Sequence, residues 1–69
     1  MADSVYRVTE VIGVSSESWE KAAAAAINQA SKSLRDLRVA EVSQLDVTLD
    51  NGKIETYRAK VKVSFKYEQ

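Results

Sequence analysis

Hydrophobic and polar residues alternate near the start of the chain, in the stretch VYRVTEVIGV. The stretch is rich in β-branched residues, and Tyr6, Val8 and Ile12 fall on one side of it. Alternation with a period of two predicts a β-strand, here over about residues 5–14.

The next segment has apolar residues spaced three and four apart, as on one side of an amphipathic helix. These residues are Trp19, Ala22, Ala23, Ala26, Ile27, Ala30, Leu34 and Leu37. Ser15 or Ser16 is placed to cap the helix, and five consecutive alanines favour helix and give it a thin side that can lie close to a sheet. We predict a helix over about residues 16–37.

The period then returns to two, which predicts strands over about residues 39–50 and 53–67. Asn51-Gly52 separates them, and this dipeptide between two β-rich runs predicts a hairpin with a type I′ turn. A right-handed crossover after the helix leaves room for the third strand between the first and the second.

The predicted fold class is therefore α+β, with the element order β-α-β-β. A three-stranded antiparallel sheet packs on one long helix, in a single domain that spans residues 1–69. The chain is 69 residues long and has no Cys, so disulfides cannot stabilise so small a domain. Oligomerisation is the remaining common means of stabilisation, apart from an all-oxygen metal site.

The two-residue turn fixes the register of the hairpin. It places Asp50 opposite Lys53 and Leu45 opposite Arg58, and it puts Val39 on the same face as Arg58. Near the turn, four aliphatic residues then point away from the face that the helix covers; they are Leu45, Val47, Leu49 and Ile54. We predict that these four form an oligomer interface, and the alternative is a β-bulge that shifts the phase.

The charge of the chain is balanced, with ten acidic and ten basic residues. We therefore expect no binding to nucleic acid or to a membrane surface. No apolar run has the length of a membrane span, and MADSVYRVTE lacks the basic and apolar regions of a signal peptide, so we expect a cytoplasmic location. A basic stripe lies on the last strand, at Arg58, Lys60, Lys62 and Lys66, and a solvated face is the favoured interpretation. The chain has no His and no Cys, and we find no catalytic constellation, so no enzyme activity is predicted.

Carboxylates near the turn are the remaining candidates for metal chemistry, because Ca²⁺ takes six to eight oxygen ligands. Asp46 is the metal-ligand candidate. One chain does not supply a complete set at a known spacing, so carboxylates of symmetry-related chains would have to complete the site. A polar hairpin tip without metal is the alternative.

Three segments, VYRVTEVIGVSSESWEKAAAAAI, LRVAEV and YRAKVKVSFKYE, together resemble the dodecin family over nearly the whole chain. Dodecins are small β-α-β-β proteins that assemble as hollow homododecamers. The resemblance implies a binding or storage protein whose best-known members hold stacked pairs of flavins between subunits.

The resemblance also places the family's flavin site at Val39, Arg58 and Leu45. Flavin-binding members carry a Trp-Phe pair where this chain has Val39-Ala40, and that Trp stacks on the flavin ring. They carry a Gln where this chain has Arg58. We therefore expect weak or no binding of flavin, as FMN or riboflavin.

A subgroup with RVA at the helix–strand junction and TYR in the last strand is most similar, and its members are described as calcium dodecins. The sequence thus predicts a small chain that associates with copies of itself to form a homo-oligomer. The partner of the oligomer is a small-molecule or ion ligand, with Ca²⁺ as a candidate. The alternatives are a flavin-binding dodecin that tolerates the substitutions and a purely structural assembly.

Overall fold

Three antiparallel strands and one helix form the fold in a computed structural model, which describes residues 3–66. The elements are β1 (Tyr6–Ser15), α1 (Trp19–Ser33), β2 (Leu37–Asp50) and β3 (Lys53–Lys66). The strand order is β1-β3-β2, with both pairs antiparallel. These features confirm the predicted fold class and the central position of the third strand.

The predicted strand to position 67 and the predicted domain over residues 1–69 extend outside the described residues at their ends. Within residues 3–66, the helix is neither long enough nor apolar enough to cross a membrane.

The helix begins later than predicted. Ser15 is the last residue of β1, and the capping residue is Ser18, whose hydroxyl accepts a hydrogen bond from the backbone N–H of Lys21 at 3.0 Å. Glu20 lies in the first turn, where a negative charge interacts favourably with the helix dipole. The cap at Ser15 or Ser16 was therefore a wrong prediction, and the helix starts at Trp19.

The helix also ends four residues before the predicted position, at Ser33 rather than 37. Leu34 is already extended, and Asp36 has a φ of 57°, a left-handed conformation that Asp tolerates better than most residues. Leu34 and Leu37 still pack against the core, but from the connection and from β2. The spacing of Leu34 and Leu37 continued the apolar side of the helix, although the helix ends before Leu34 and the chain changes direction at Asp36.

The core is small and consists of residues from α1 and β3. Its buried members are Ala22, Ala26, Ala30, Ala59, Val61 and Val63. Gly13 of β1 lies directly under α1, where an added Cβ would come within 1.8 Å of the Ala22 carbonyl oxygen. The helix therefore rests on the backbone of β1, as the predicted thin side of the helix allows.

The hairpin turn has the predicted geometry. Asn51 and Gly52 both have positive φ, at 52° and 76°, as a type I′ turn requires. Asp50 pairs with Lys53 as expected, but Glu55 of β3 and Ser43 of β2 are bulged out of the ladder. Between these two bulges the pairing is displaced by one residue relative to the prediction.

The displaced register corrects the predicted faces. Leu45 lies opposite Ala59, not opposite Arg58, and Val47 lies opposite Tyr57. Directly opposed residues share a face, so the aliphatic residues of the hairpin lie on the helix side of the sheet. The bulge, which was the less favoured alternative, is therefore the correct explanation of the phase change.

We predict that Gly13→Ala lowers the stability of the protein by about 1–3 kcal/mol or more, because the new methyl group meets backbone rather than a movable side chain. Urea unfolding at matched protein concentration measures the change. Gly52→Ala is the control, since its Cβ would meet nothing within 4 Å and its cost is that of the left-handed conformation alone. A Gly13→Ala protein as stable as the wild type would show that α1 does not rest on β1.

Candidate functional site

The sheet has one face without a helix, which we call the free face. Its β3 positions are Arg58, Lys60, Lys62, Ser64 and Lys66, which alternate with the buried residues of the same strand. Lys62 lies between Glu10 of β1 and Glu41 of β2, which are its direct partners in the two ladders. Lys62, in the middle of the basic stripe, thus faces a carboxylate on each side, which supports the interpretation of a solvated face.

Arg58 forms a bidentate ion pair with Asp46 across the β2–β3 ladder. The Nε atom donates to Oδ1 at 2.7 Å, and Nη2 donates to Oδ2 at 2.8 Å. The two side chains remain 41% and 37% exposed, respectively. Two parallel charge-assisted bonds fix both the distance and the plane of the guanidinium, so the pair is an ordered feature of the surface.

The ion pair changes the titration of both groups. The pKa of Asp46 lies below its ordinary value, because the hydrogen bonds from Arg58 outweigh the opposing effect of desolvation, and the charges of Arg58 and Lys60 lower it further. The hydrogen bond to Asp46 is also the main reason that the pKa of Arg58 is raised. Both groups are therefore charged at neutral pH.

The bulge at Ser43 brings the two partners together. It turns Gln44 and Asp46 onto the free face, opposite Lys60 and Arg58, and the Ser43 hydroxyl donates to the Lys60 carbonyl oxygen at 3.2 Å. Sequence reasoning missed the pair because the unbulged register places Leu45 opposite Arg58. The signal was available, since Asp46 and Arg58 are the residues that a shift of one position brings into register.

A small cavity of about 90 Å³ lies beside the ion pair. It is lined by Ile12, Gln44, Asp46, Arg58 and Lys60. Its walls combine two cations, one carboxylate, one amide and one aliphatic side chain. Such a lining offers hydrogen bonds and charge to a small polar group, but it provides no flat aromatic surface.

The second predicted ligand position, Val39, lies on the free face at the far end of β2. It is 61% exposed and pairs with Ser64, whose hydroxyl donates to the Val39 carbonyl oxygen at 3.3 Å. The partner of Val39, Ser64, lies six positions along β3 from Arg58, which corresponds to roughly 20 Å along a strand. The two positions share a face, as predicted, but one small ligand cannot contact both in a single chain.

Leu45, the third predicted ligand position, lies on the helix side of the sheet, opposite Ala59. The prediction that grouped it with Val39 and Arg58 on one face is therefore wrong for a single chain. The cause is again the bulge at Ser43, which reverses the face of every following residue up to the turn.

The described part of the chain contains no group of three or more acidic side chains close enough to hold a metal ion. Asp46, the metal-ligand candidate, already gives both carboxylate oxygens to Arg58. A metal at Asp46 would have to share these oxygens with Arg58 or replace its bonds, and further carboxylate ligands would have to come from other copies of the chain.

Trp19 connects the helix to the base of the hairpin. Its indole Nε1 donates to the Asp46 carbonyl oxygen at 3.0 Å, and its ring meets Tyr57 edge-on, with the centroids 5.2 Å apart. Trp19 therefore holds the backbone of Asp46 from the helix side, while the Asp46 side chain pairs with Arg58 on the free face.

The predicted oligomer interface consists of Leu45, Val47, Leu49 and Ile54, which we call the hairpin patch. Three members are strongly exposed, at 49% for Leu45, 61% for Leu49 and 54% for Ile54, while Val47 is half-buried. The patch lies beyond the region where α1 covers β1 and β3. A single chain therefore leaves it in water.

Comparison with known proteins gives the family. The dodecin family model matches residues 5–68. The chain is 53% identical to calcium dodecin of Mycobacterium tuberculosis over 64 residues, which cover 91% of this chain and 89% of that protein.

Solved structures agree with the family model. The crystal structure of a calcium-chelating antigen, calcium dodecin of M. tuberculosis, superposes with a TM-score of 0.82 at 52% identity, covering 94% of this chain and 93% of the other. Dodecin from Streptomyces coelicolor superposes with a TM-score of 0.91 at 33% identity, covering 100% and 99%. With its β-α-β-β fold and a match over almost its full length, the chain belongs to the dodecin family.

Proposed function

We propose that this chain is the subunit of a homododecameric ligand-binding or storage protein that is not an enzyme and does not bind flavin tightly. Ca²⁺ is the first candidate ligand. The observation that carries the proposal is the ion pair between Asp46 and Arg58, which occupies the place where flavin-binding dodecins are expected to have an uncharged Gln. Arg58 itself has only donors, so at this position it cannot accept from the N3–H of a flavin as the carbonyl oxygen of a Gln amide does.

The shape of the single chain supports the oligomer. Its accessible surface is 5260 Å², whereas a compact monomer of 7.7 kDa exposes about 4300 Å². Its radius of gyration is 14.4 Å, against roughly 11 Å for a compact chain of this length. The hairpin, with three strongly exposed aliphatic residues, contributes to the large surface, and its hairpin patch is the apolar surface that further copies would cover.

We predict that Leu49→Asp dissociates the assembly. Burial of a Leu side chain contributes roughly 1.5–3 kcal/mol, and symmetry repeats the loss in every subunit. Leu49 is 61% exposed in the single chain, so the charge disturbs the interface more than the fold of the monomer. Sedimentation velocity measures the mass of the wild type and the variant.

Asn51→Asp is the matched control for Leu49→Asp, because it adds the same charge to the same hairpin at the exposed turn. We expect this control to retain the mass of the wild type. A Leu49→Asp protein with the wild-type mass would refute the role of the hairpin patch. A wild type that sediments as a monomer would refute the oligomer itself.

The ligand site, if it occupies the family position, must lie between copies of the chain. Val39 and Arg58 are roughly 20 Å apart on one subunit, so a single ring would meet them only from different subunits. At the Val39 end, the chain offers an aliphatic side chain in place of the aromatic platform that the resemblance implies. Val39 can still make dispersion contacts with a flavin ring, but it cannot stack on the ring as an aromatic side chain does.

We predict that wild-type protein binds riboflavin weakly and that Val39→Trp strengthens binding by roughly one to two orders of magnitude, since stacking of a base on an aromatic ring contributes about 1–3 kcal/mol. Quenching of riboflavin fluorescence measures the dissociation constant. Adding Arg58→Gln to Val39→Trp should tighten binding further. Val8→Trp is the matched control, because Val8 is equally exposed at 61% and faces the same Ser64 from β1.

Tight riboflavin binding by the wild type, unchanged in Val39→Trp, would contradict the proposal and favour a dodecin that tolerates these substitutions. An equal gain in Val8→Trp would show that any added ring on the free face suffices.

Calcium is proposed because the chain is 53% identical to a calcium dodecin over almost its full length. Since residues 3–66 of one chain provide no acidic cluster, the site would combine carboxylates from several subunits. Calcium would then bind the assembled state and stabilise it through mass action.

We therefore predict that Ca²⁺ raises the melting temperature relative to chelator. When the free concentration of a ligand is one hundred times its dissociation constant, binding stabilises the folded state by about 2.7 kcal/mol per site. Mg²⁺ at the same concentration is the control, because it demands a smaller, octahedral site and should have less effect. A melting temperature that is identical in Ca²⁺ and chelator would count against calcium, and together with weak riboflavin binding it would indicate a structural assembly.

A further inference from the structure

The ion pair between Asp46 and Arg58 occupies a position that would otherwise attract anions. We propose that Asp46 determines ligand specificity there: its carboxylate acts as an internal anion that excludes phosphate and carboxylate groups from a subsite formed by Arg58 and Lys60. This inference deepens the proposed function, on which it rests for the location of the ligand site.

The bonds between Arg58 and Asp46 oppose the binding of an external anion. The Nε and Nη2 donors form one side of the guanidinium that matches a carboxylate or phosphate, and both are used by Asp46 at 2.7 and 2.8 Å. An external anion on this side of the guanidinium would have to displace both bonds, and an anion at any other donor of Arg58 would be repelled by the nearby Asp46 carboxylate. Both effects oppose its binding.

The residues around the ion pair would form a cationic subsite if Asp46 carried no charge. Lys60 follows Arg58 on the same face of β3, and Gln44 lies opposite Lys60. All of them line the small cavity of about 90 Å³ together with Asp46 and Ile12. Without the charge of Asp46, the cavity would hold two cations and an amide, which is a suitable set of donors for a phosphate oxygen. Asp46 is the single negative group in that lining.

The test measures binding of inorganic phosphate through the melting temperature of the assembled protein, at constant ionic strength. Asp46→Asn keeps the size of the side chain and removes its charge. We expect this variant to bind phosphate about tenfold more tightly than the wild type, because Arg58 then has free charge-assisted donors. Asp46→Thr is a second neutral variant with the same expectation, and it suits a strand.

Glu41→Gln is the matched control, because it removes one carboxylate from the same face, and Lys62 opposite it keeps Glu10 as a neighbour. We expect no gain in phosphate affinity from this control, and loss of the gain when Arg58→Gln is added to Asp46→Asn. The inference is overturned if phosphate affects all variants equally, or if wild type binds phosphate as tightly as Asp46→Asn. Neither flavin nor calcium enters this test, so its result is independent of the outcome for the proposed function.

Discussion

The close approach of α1 to β1 at Gly13 is the constraint on which the fold depends. An added Cβ at Gly13 would lie 1.8 Å from the Ala22 carbonyl oxygen, so helix and strand meet backbone to backbone. Only a helix with a thin side can pack so closely, and the buried residues Ala22, Ala26 and Ala30 supply it. The consequence is a core whose largest fully buried side chains are two valines.

A core of this size cannot cover a sheet with two strands of 14 residues. The helix reaches β1 and β3, while the hairpin continues beyond it and leaves its aliphatic side exposed. Trp19 marks the boundary, because it packs on Tyr57 and binds the Asp46 backbone at the base of the hairpin. A larger core would cover the hairpin within one chain, and in the proposed oligomer contacts between chains would cover it instead.

Most of the fold could be predicted from the sequence, because the change of period and the Asn51-Gly52 turn are local signals. The helix end could not, since Leu34 and Leu37 continue the helical spacing and Asp36 replaces the usual glycine at the turn. The residue types of Ser43 and Glu55 do not mark the bulges, because they do not distinguish an unpaired position from a paired one. The opposite charges of Asp46 and Arg58 were the signal that favoured the shifted register. It could be predicted that the aliphatic residues of the hairpin are exposed, but not on which face of the sheet they lie.

The candidate site depends on the same displacement by one residue. With an unbulged ladder, Arg58 faces an aliphatic residue and remains available to an anion, while Asp46 remains available to a cation. The bulge at Ser43 instead places each opposite the other at hydrogen-bonding distance. Two independent candidates thereby become one neutral unit, and a charged ligand must compete with the bonds and the opposite charge that each group already has. Because the pair stays together, a ligand gains its binding energy from other contacts, while the carboxylate of Asp46 opposes anions.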